Sequence, residues 1–189
     1  MNSNKKAEMG VGTLIIFIAL LLVAAVAAGV LIQTAGSLQQ KALSTGTQAT
    51  GQISTNAQVI EVSGTDGTGN LQNFSYVVKL SPGSEPIEFD SVTVSLNLND
   101  QTQTLTYNNG SGVAGNTTNF NIIYLQTGTN NQPGVLVRGD VVRMVFQSSR
   151  AIDSGEDVRI NFVPKTGTPT LTIFTIPDVI STQRVYLYP

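Results

Sequence analysis

Residues 9–40 read MGVGTLIIFIALLLVAAVAAGVLIQTAGSLQQ, with no Asp, Glu, Lys or Arg among them. They follow directly on Asn4-Lys5-Lys6-Ala7-Glu8, a short charged start. The centre of the stretch, Val11 to Ile32, is nearly pure hydrocarbon. At ~1.5 Å rise per residue, a helix of that length crosses the ~30 Å hydrocarbon core of a bilayer. What the protein is depends on the fate of this helix: discarded, left in a membrane, or packed into an assembly.

The helical pattern does not stop at Ile32. Ala35, Leu38, Ala42, Gly46, Ala49, Ile53, Ala57 and Ile60 recur at steps of three and four, with no proline between them. That eleven-residue period draws one narrow stripe along a nearly straight helix. Its residues are mostly small, which lets neighbouring helices approach closely. The opposite face, with Gln39, Gln40, Thr45, Gln48 and Gln52, is polar and uncharged. One long helix is therefore expected from about Gly10 to Ile60.

After the glycine-rich break Ser63-Gly64-Thr65-Asp66-Gly67-Thr68-Gly69-Asn70 the period becomes two. Strands are expected at Phe74–Leu80, Ile87–Leu98, Gln103–Tyr107, Phe120–Leu125, Val135–Val137, Asp140–Gln147, Asp157–Val163, Thr170–Ile176 and Val185–Leu187. Between Phe89 and Val92 the apolar phase slips, which calls for a bulge or bend. Turn residues separate the runs, as in Ser81-Pro82-Gly83, Gln132-Pro133-Gly134 and Ser154-Gly155. Many short strands with no helix between them read as a β-sandwich. The fold class expected is α+β: a long hydrophobic N-terminal helix, then an all-β immunoglobulin-like sandwich.

Composition removes several classes of function. The chain has no histidine, no cysteine and no tryptophan. Ser-His and Cys-His nucleophile pairs, thiolate or imidazole zinc sites and disulfides are all excluded. With 12% charged residues and a net charge of -2, no field points at nucleic acid. No catalytic residue, metal or cofactor is expected.

The N-terminus admits three readings. A secretory signal with its cut at Ala25-Val26-Ala27 is opposed by the stripe, which continues past that point. A simple membrane anchor is permitted by length, but Gly10, Gly12, Gly29 and the Ala24–Ala28 run supply more small residues than an isolated span needs. The third reading comes from the wording itself. Gly10-Val11-Gly12-Thr13-Leu14-Ile15-Ile16-Phe17-Ile18-Ala19, the following Leu22–Ala28 and Val30–Gly36, and Leu38-Gln39-Gln40-Lys41-Ala42 closely resemble the N-terminal signature of archaeal flagellins, the archaellins. Leu136-Val137-Arg138-Gly139-Asp140, Phe162-Val163-Pro164-Lys165-Thr166-Gly167 and Tyr186-Leu187-Tyr188-Pro189 match the family in the expected order.

This resemblance implies a class III signal peptide, residues 1–7, removed by a prepilin-type signal peptidase. The mature chain of the family begins two residues before G-[IV]-G-T, which puts the cut between Ala7 and Glu8 and makes Gly10 the third mature residue. The family often carries glycine where this chain has Ala7. Lys5 and Lys6 would hold the start on the cytoplasmic side. Residues 8–62 would then form the filament-core helix, with Leu14, Phe17, Leu21, Ala25, Ala28, Ile32 and Ala35 on its packing face, and residues 63–189 the outer sandwich. The implied function is that of a structural subunit of the archaellum, a swimming filament at the cell surface whose precursor sits in the cytoplasmic membrane. The implied partners are further copies or paralogous archaellins, the peptidase, and the archaellum assembly ATPase with its membrane platform. An archaeal type IV adhesion pilin is the alternative, sharing the processing and helical core.

Three triplets, Asn73-Phe74-Ser75, Asn109-Gly110-Ser111 and Asn116-Thr117-Thr118, are N-glycosylation sequons. Asn109 and Asn116 lie in a loop-like stretch and are the better acceptors, whereas Asn73 borders a strand. Gly110-Ser111-Gly112-Val113-Ala114-Gly115 fits G-x-G-x-x-G, but no βαβ unit surrounds it and a flexible loop explains it. Glu85, Glu88 and Asp90, and Asp153, Glu156 and Asp157, form acidic clusters of the kind that can bind calcium. Solvated surface acids are the plainer reading. Arg138-Gly139-Asp140 is read as a turn before a strand.

Overall fold

The computed structural model describes residues 3–65, 70–109 and 116–189, and side chains from Glu8 onward. The G-x-G-x-x-G run, two residues of the Asn109 sequon, the middle of the glycine-rich break, and the side chains of Lys5, Lys6 and Ala7 lie outside the described residues. The chain divides into two compact units, Met1–Gln48 and Ala49–Pro189.

The first unit is helical throughout its described length, as part of α1 (Ser3–Ser54). Ala and Leu, both strong helix formers, are the commonest residues, no proline interrupts, and side-chain hydroxyls bond back to the preceding turn. Thr13 Oγ1 donates to the Gly10 carbonyl at 2.9 Å, Thr34 Oγ1 to Val30 at 2.8 Å and Thr47 Oγ1 to Ser44 at 2.9 Å.

In the second unit the helix stops at Ser54, short of the expected Ile60. Ala57 and Ile60 fall instead in a strand, β1 (Ala57–Gly64), that pairs antiparallel with β2 (Leu71–Leu80). The sequence from Val59 to Val62, Val-Ile-Glu-Val, is rich in strand formers. A bulge between Val59 and Glu61 breaks the two-residue alternation, so the segment also satisfies a helical spacing. Pairing with β2 decides between the two.

The remaining strands are β3 (Ile87–Glu88), β4 (Thr93–Asn97), β5 (Thr102–Tyr107), β6 (Asn119–Gln126), β7 (Val135–Leu136), β8 (Val141–Ile152), β9 (Asp157–Val163), β10 (Thr170–Thr175) and β11 (Val185–Tyr188). A 3-10 turn at Phe89–Ser91 separates β3 from β4, where the apolar phase slips. One layer runs β10-β9-β4-β5 and the other β6-β8-β2-β1-β11. They are joined along one side by a short parallel contact, Thr106 opposite Asn119 and Tyr107 opposite Phe120. On the other side β10 comes alongside β1 and β11. There Asn56 bridges Thr168, and Thr170 Oγ1 donates to the Ala57 carbonyl at 2.8 Å. β3 and β7 form a separate two-stranded ribbon.

The core lies between the layers and is built from alternate residues of each strand. Phe74, Tyr76 and Val78 of β2, Val94 and Leu96 of β4, Val142, Met144 and Phe146 of β8, and Val158, Ile160 and Phe162 of β9 are all fully buried. Phe74 stacks on Phe146 with centroids 5.9 Å apart and tilts against Phe174 at 6.4 Å, linking the layers. Strand β8 runs five residues beyond its expected end, to Ile152. The Gln103 side chain reaches across to hold it: Nε2 donates to the Gln147 carbonyl at 2.8 Å and Oε1 accepts from the Ser149 amide at 2.8 Å.

Candidate functional site: the apolar helix

The expected packing-face residues Leu14, Phe17, Leu21, Ala25, Ala28, Ile32 and Ala35 all fall on α1, at helical steps of three and four. All of them are exposed. Leu14 is 57% exposed, Phe17 58%, Leu21 53% and Ile32 74%, and the two alanines at 25 and 28 and Ala35 are likewise exposed. Exposure is not confined to that face, since Val11, Ile15, Ile16, Leu20, Leu22, Val26, Val30 and Leu31 are also open. An apolar helix exposed on every side needs lipid or other helices around it. By length and composition it is able to cross a membrane, and none of its apolar window is buried within the chain.

The helix carries little that would resist a dry environment. Its backbone is satisfied internally, and Thr13, the one hydroxyl between Gly10 and Ile32, donates to Gly10 as described. Gly10, Gly12, Gly29 and Gly46 have nothing within 4 Å of where a Cβ would stand. Glycine lowers helix stability by ~1 kcal/mol relative to alanine, and among the described residues nothing crowds the Cβ position of these four. Glu8 and Gly10, at the expected processing site, are exposed.

The sequons differ in their surroundings. Asn73 sits within β2, opposite Gln147 on β8, half-buried. Asn109 and Asn116 are exposed outside strands. Asn109 Oδ1 accepts from the Tyr107 hydroxyl at 3.4 Å, and Asn116 Oδ1 accepts from the Thr117 amide at 2.7 Å.

The acidic groups are occupied or dispersed. Glu156 and Asp100 both pair with Arg150, which holds the Asp100 carboxyl below its usual range chiefly through the hydrogen bond. Asp157 Oδ1 accepts from Thr175 Oγ1 at 2.6 Å. Among the described residues no group of three or more acids, histidines or cysteines is arranged to hold a metal ion. Asp140 of the Arg-Gly-Asp triplet is buried. Its carboxylate accepts from the Gly128 amide at 2.6 Å, the Val137 amide at 3.2 Å and Asn131 Nδ2 at 3.2 Å. It pins the loop between β6 and β8 and is not displayed.

Sequence reasoning missed one group of residues. Thr55, Ser84 and Gly167 converge where the helix ends, and only the glycine within Phe162–Gly167 hinted at it.

Comparison with known proteins fits this architecture. The archaeal-type flagellin family model matches residues 7–174. Flagellin B1 of Methanococcus voltae is 34% identical over 211 aligned residues, covering 98% of this chain and 96% of the relative. Flagellin B1 of Thermoplasma volcanium is 43% identical over 141 residues, 69% of this chain and 57% of the relative. The solved archaeal flagellum of Methanospirillum hungatei strain JF1 superposes with a TM-score of 0.68 at 22% identity, covering 90% of this chain and 94% of that one, and so shares the fold. With a long apolar helix leading into a β-sandwich, and with the family model and a full-length relative both matched, the chain belongs to the archaeal-type flagellin family.

Proposed function

We propose that this protein is a structural subunit of the archaeal flagellum, polymerising through its N-terminal helix into a filament used for swimming. The observation that carries the reading is the helix: uncharged from Met9 to Gln40, with its large apolar side chains exposed on every face. Before assembly, lipid surrounds it. A prepilin-type signal peptidase then cuts between Ala7 and Glu8, and the assembly ATPase and membrane platform extract the helix and bundle it with copies or paralogues. From water, burying the apolar segment would be worth on the order of tens of kcal/mol per subunit. From lipid the gain is smaller, and close packing of Gly10, Gly12, Gly29 and the alanines supplies it. Head-to-tail contacts that do not close on themselves generate a helical fibre.

The sandwich forms the outer layer and carries sugars. Exposure supports Asn109 and Asn116 as acceptors, and the strand position of Asn73 argues against it. Glycopeptide mass spectrometry of secreted filaments should find modification at the first two and an unmodified Asn73.

The deciding experiment is N-terminal sequencing of filaments sheared from cells. A start at Glu8 is expected, and a start after Ala27 would overturn the reading. Deleting the gene should abolish swimming. Loss of surface attachment with swimming intact would instead assign the chain to adhesion pili.

A further inference from the structure

The last helical turn meets the sandwich at Thr55 and Asn56, and every backbone polar group there has a partner. The Thr55 amide donates to the Gly51 carbonyl at 3.0 Å, and the Thr55 carbonyl accepts from the Thr168 amide at 2.9 Å. The Asn56 amide donates to Ser84 Oγ at 3.0 Å, and the Asn56 carbonyl accepts from the Ser81 amide at 3.0 Å. The single Ser84 hydroxyl proton lies within reach of both the Ser54 and Asn56 carbonyls, at 3.3 and 3.1 Å. Thr55 Oγ1 accepts from the Glu85 amide at 3.2 Å.

Packing closes what hydrogen bonding leaves. Thr55 and Ala57 are buried, as is Gly51, over which the Glu85 carboxylate lies. On the other side Gly167 rests on Thr55. A Cβ there would stand 2.6 Å from the Thr55 carbonyl oxygen and 3.0 Å from its Cγ2. Its φ of +117° is one that residues with side chains rarely adopt. The Phe162–Gly167 segment thus leads from the buried Phe162 at the end of β9 to a glycine that fits only against Thr55. A plain linker would have solvated backbone and glycine or proline in the connection itself. This connection has neither.

We infer that Thr55 and Asn56, gripped by the Ser81–Glu85 and Lys165–Thr168 loops, are a rigid mechanical joint that carries load between the sandwich and the last helical turn, residues 49–54, within the second unit. The load-carrying part rests on the filament reading, and the rigidity does not. In a rotating filament a soft connection would let the outer domains lag behind the core. A satisfied, close-packed one passes load from the sandwich to the helical turn it grips.

The test compares Gly167→Ala and Ser84→Ala with the control Gly134→Ala, which has a similar positive φ of +79° but only a 3.9 Å contact with Tyr107. Hydrogen exchange of the full chain in detergent micelles should show the Thr55, Asn56 and Thr168 amides exchanging tenfold or more faster in the first two variants. The β8 amides of Met144 and Phe146 should keep their protection, and Gly134→Ala should leave the joint amides unchanged. Filaments of the two joint variants should bend more, with a shorter persistence length by electron microscopy. Wild-type exchange at Thr55 and Asn56 in both variants overturns the joint, and so does wild-type filament stiffness alongside faster exchange. If Gly167→Ala does not fold, Ser84→Ala, which adds no strain, decides alone. A cell that builds no filament from this chain refutes the filament reading and with it the load-carrying role, while the exchange result still decides whether the connection is rigid.

Discussion

Replacing Gly29 by alanine should have opposite effects in the single chain and in the filament. In the chain nothing lies within 4 Å of the added methyl, so no contact is strained. Gly→Ala in a helix interior gains ~1 kcal/mol, which slows local helix opening about fivefold. In a filament whose helices approach closely at Gly29, the methyl overpacks the contact at a cost of about 1–3 kcal/mol. Each subunit presents its own Gly29 and receives that of a neighbour. Because each of these contacts is shared by two subunits, there is one per subunit, and its cost of about 2 kcal/mol outweighs the ~1 kcal/mol local gain to leave a net weakening of about 1 kcal/mol per subunit. Hydrogen exchange of the chain in micelles measures the first effect, and thermal dissociation of sheared filaments by light scattering measures the second. The expected result is slower exchange around residue 29 together with a lower dissociation temperature. Filaments of Gly29→Ala that dissociate at or above the wild-type temperature would refute the placing of Gly29 at a helix contact.

Two further expectations concern the sandwich. Burial pushes the Tyr76 phenol up to about 12 from 10.0, against the opposing pull of its 3.0 Å hydrogen bond with Thr172 Oγ1. An acid whose folded value is raised stabilises fully below its unfolded value and loses that contribution as pH rises through the folded one, so stability should fall between pH 10 and about 12 by ~3 kcal/mol. Urea titrations across that range should show the slope in the wild type and a flatter profile in Tyr76→Phe. Asp140→Ala strands the Gly128 and Val137 amides, which should cost about 3 kcal/mol and lower the urea midpoint with the m-value unchanged.

The helix and most strands were legible because their signals are local. An uncharged apolar run can hardly be anything but a helix, and Val158, Ile160 and Phe162 alternate too cleanly to be anything but a strand. The helix end was not legible, because it is set by tertiary pairing. Ala57 and Ile60 keep helical spacing, and only β2 and the bulge at Val59–Glu61 draw them into β1. The far half of β8 was hidden for a related reason: Ser148-Ser149-Arg150 has little strand propensity, and the Gln103 side chain holds it in place. Of the helix residues expected to pack, their shared face could be read from spacing and their exposure could not. The joint escaped notice because its parts are distant in sequence, Thr55, Ser84 and Gly167, and none belongs to a residue type that announces chemistry.

The side of the sandwich where β10 meets β1 and β11 bears on how such a domain behaves in a crowd. Strands at the ends of a sheet offer unpaired amides and carbonyls to any similar strand nearby, the usual start of sheet-to-sheet aggregation. Here the two end strands of the series lie side by side, and Asn56 with Thr168 and Thr170 with Ala57 tie that side together. On that side, copies crowded at high local concentration therefore find few free strand edges to extend. Polymerisation is left to the helix, and the sandwiches can stand shoulder to shoulder without fusing.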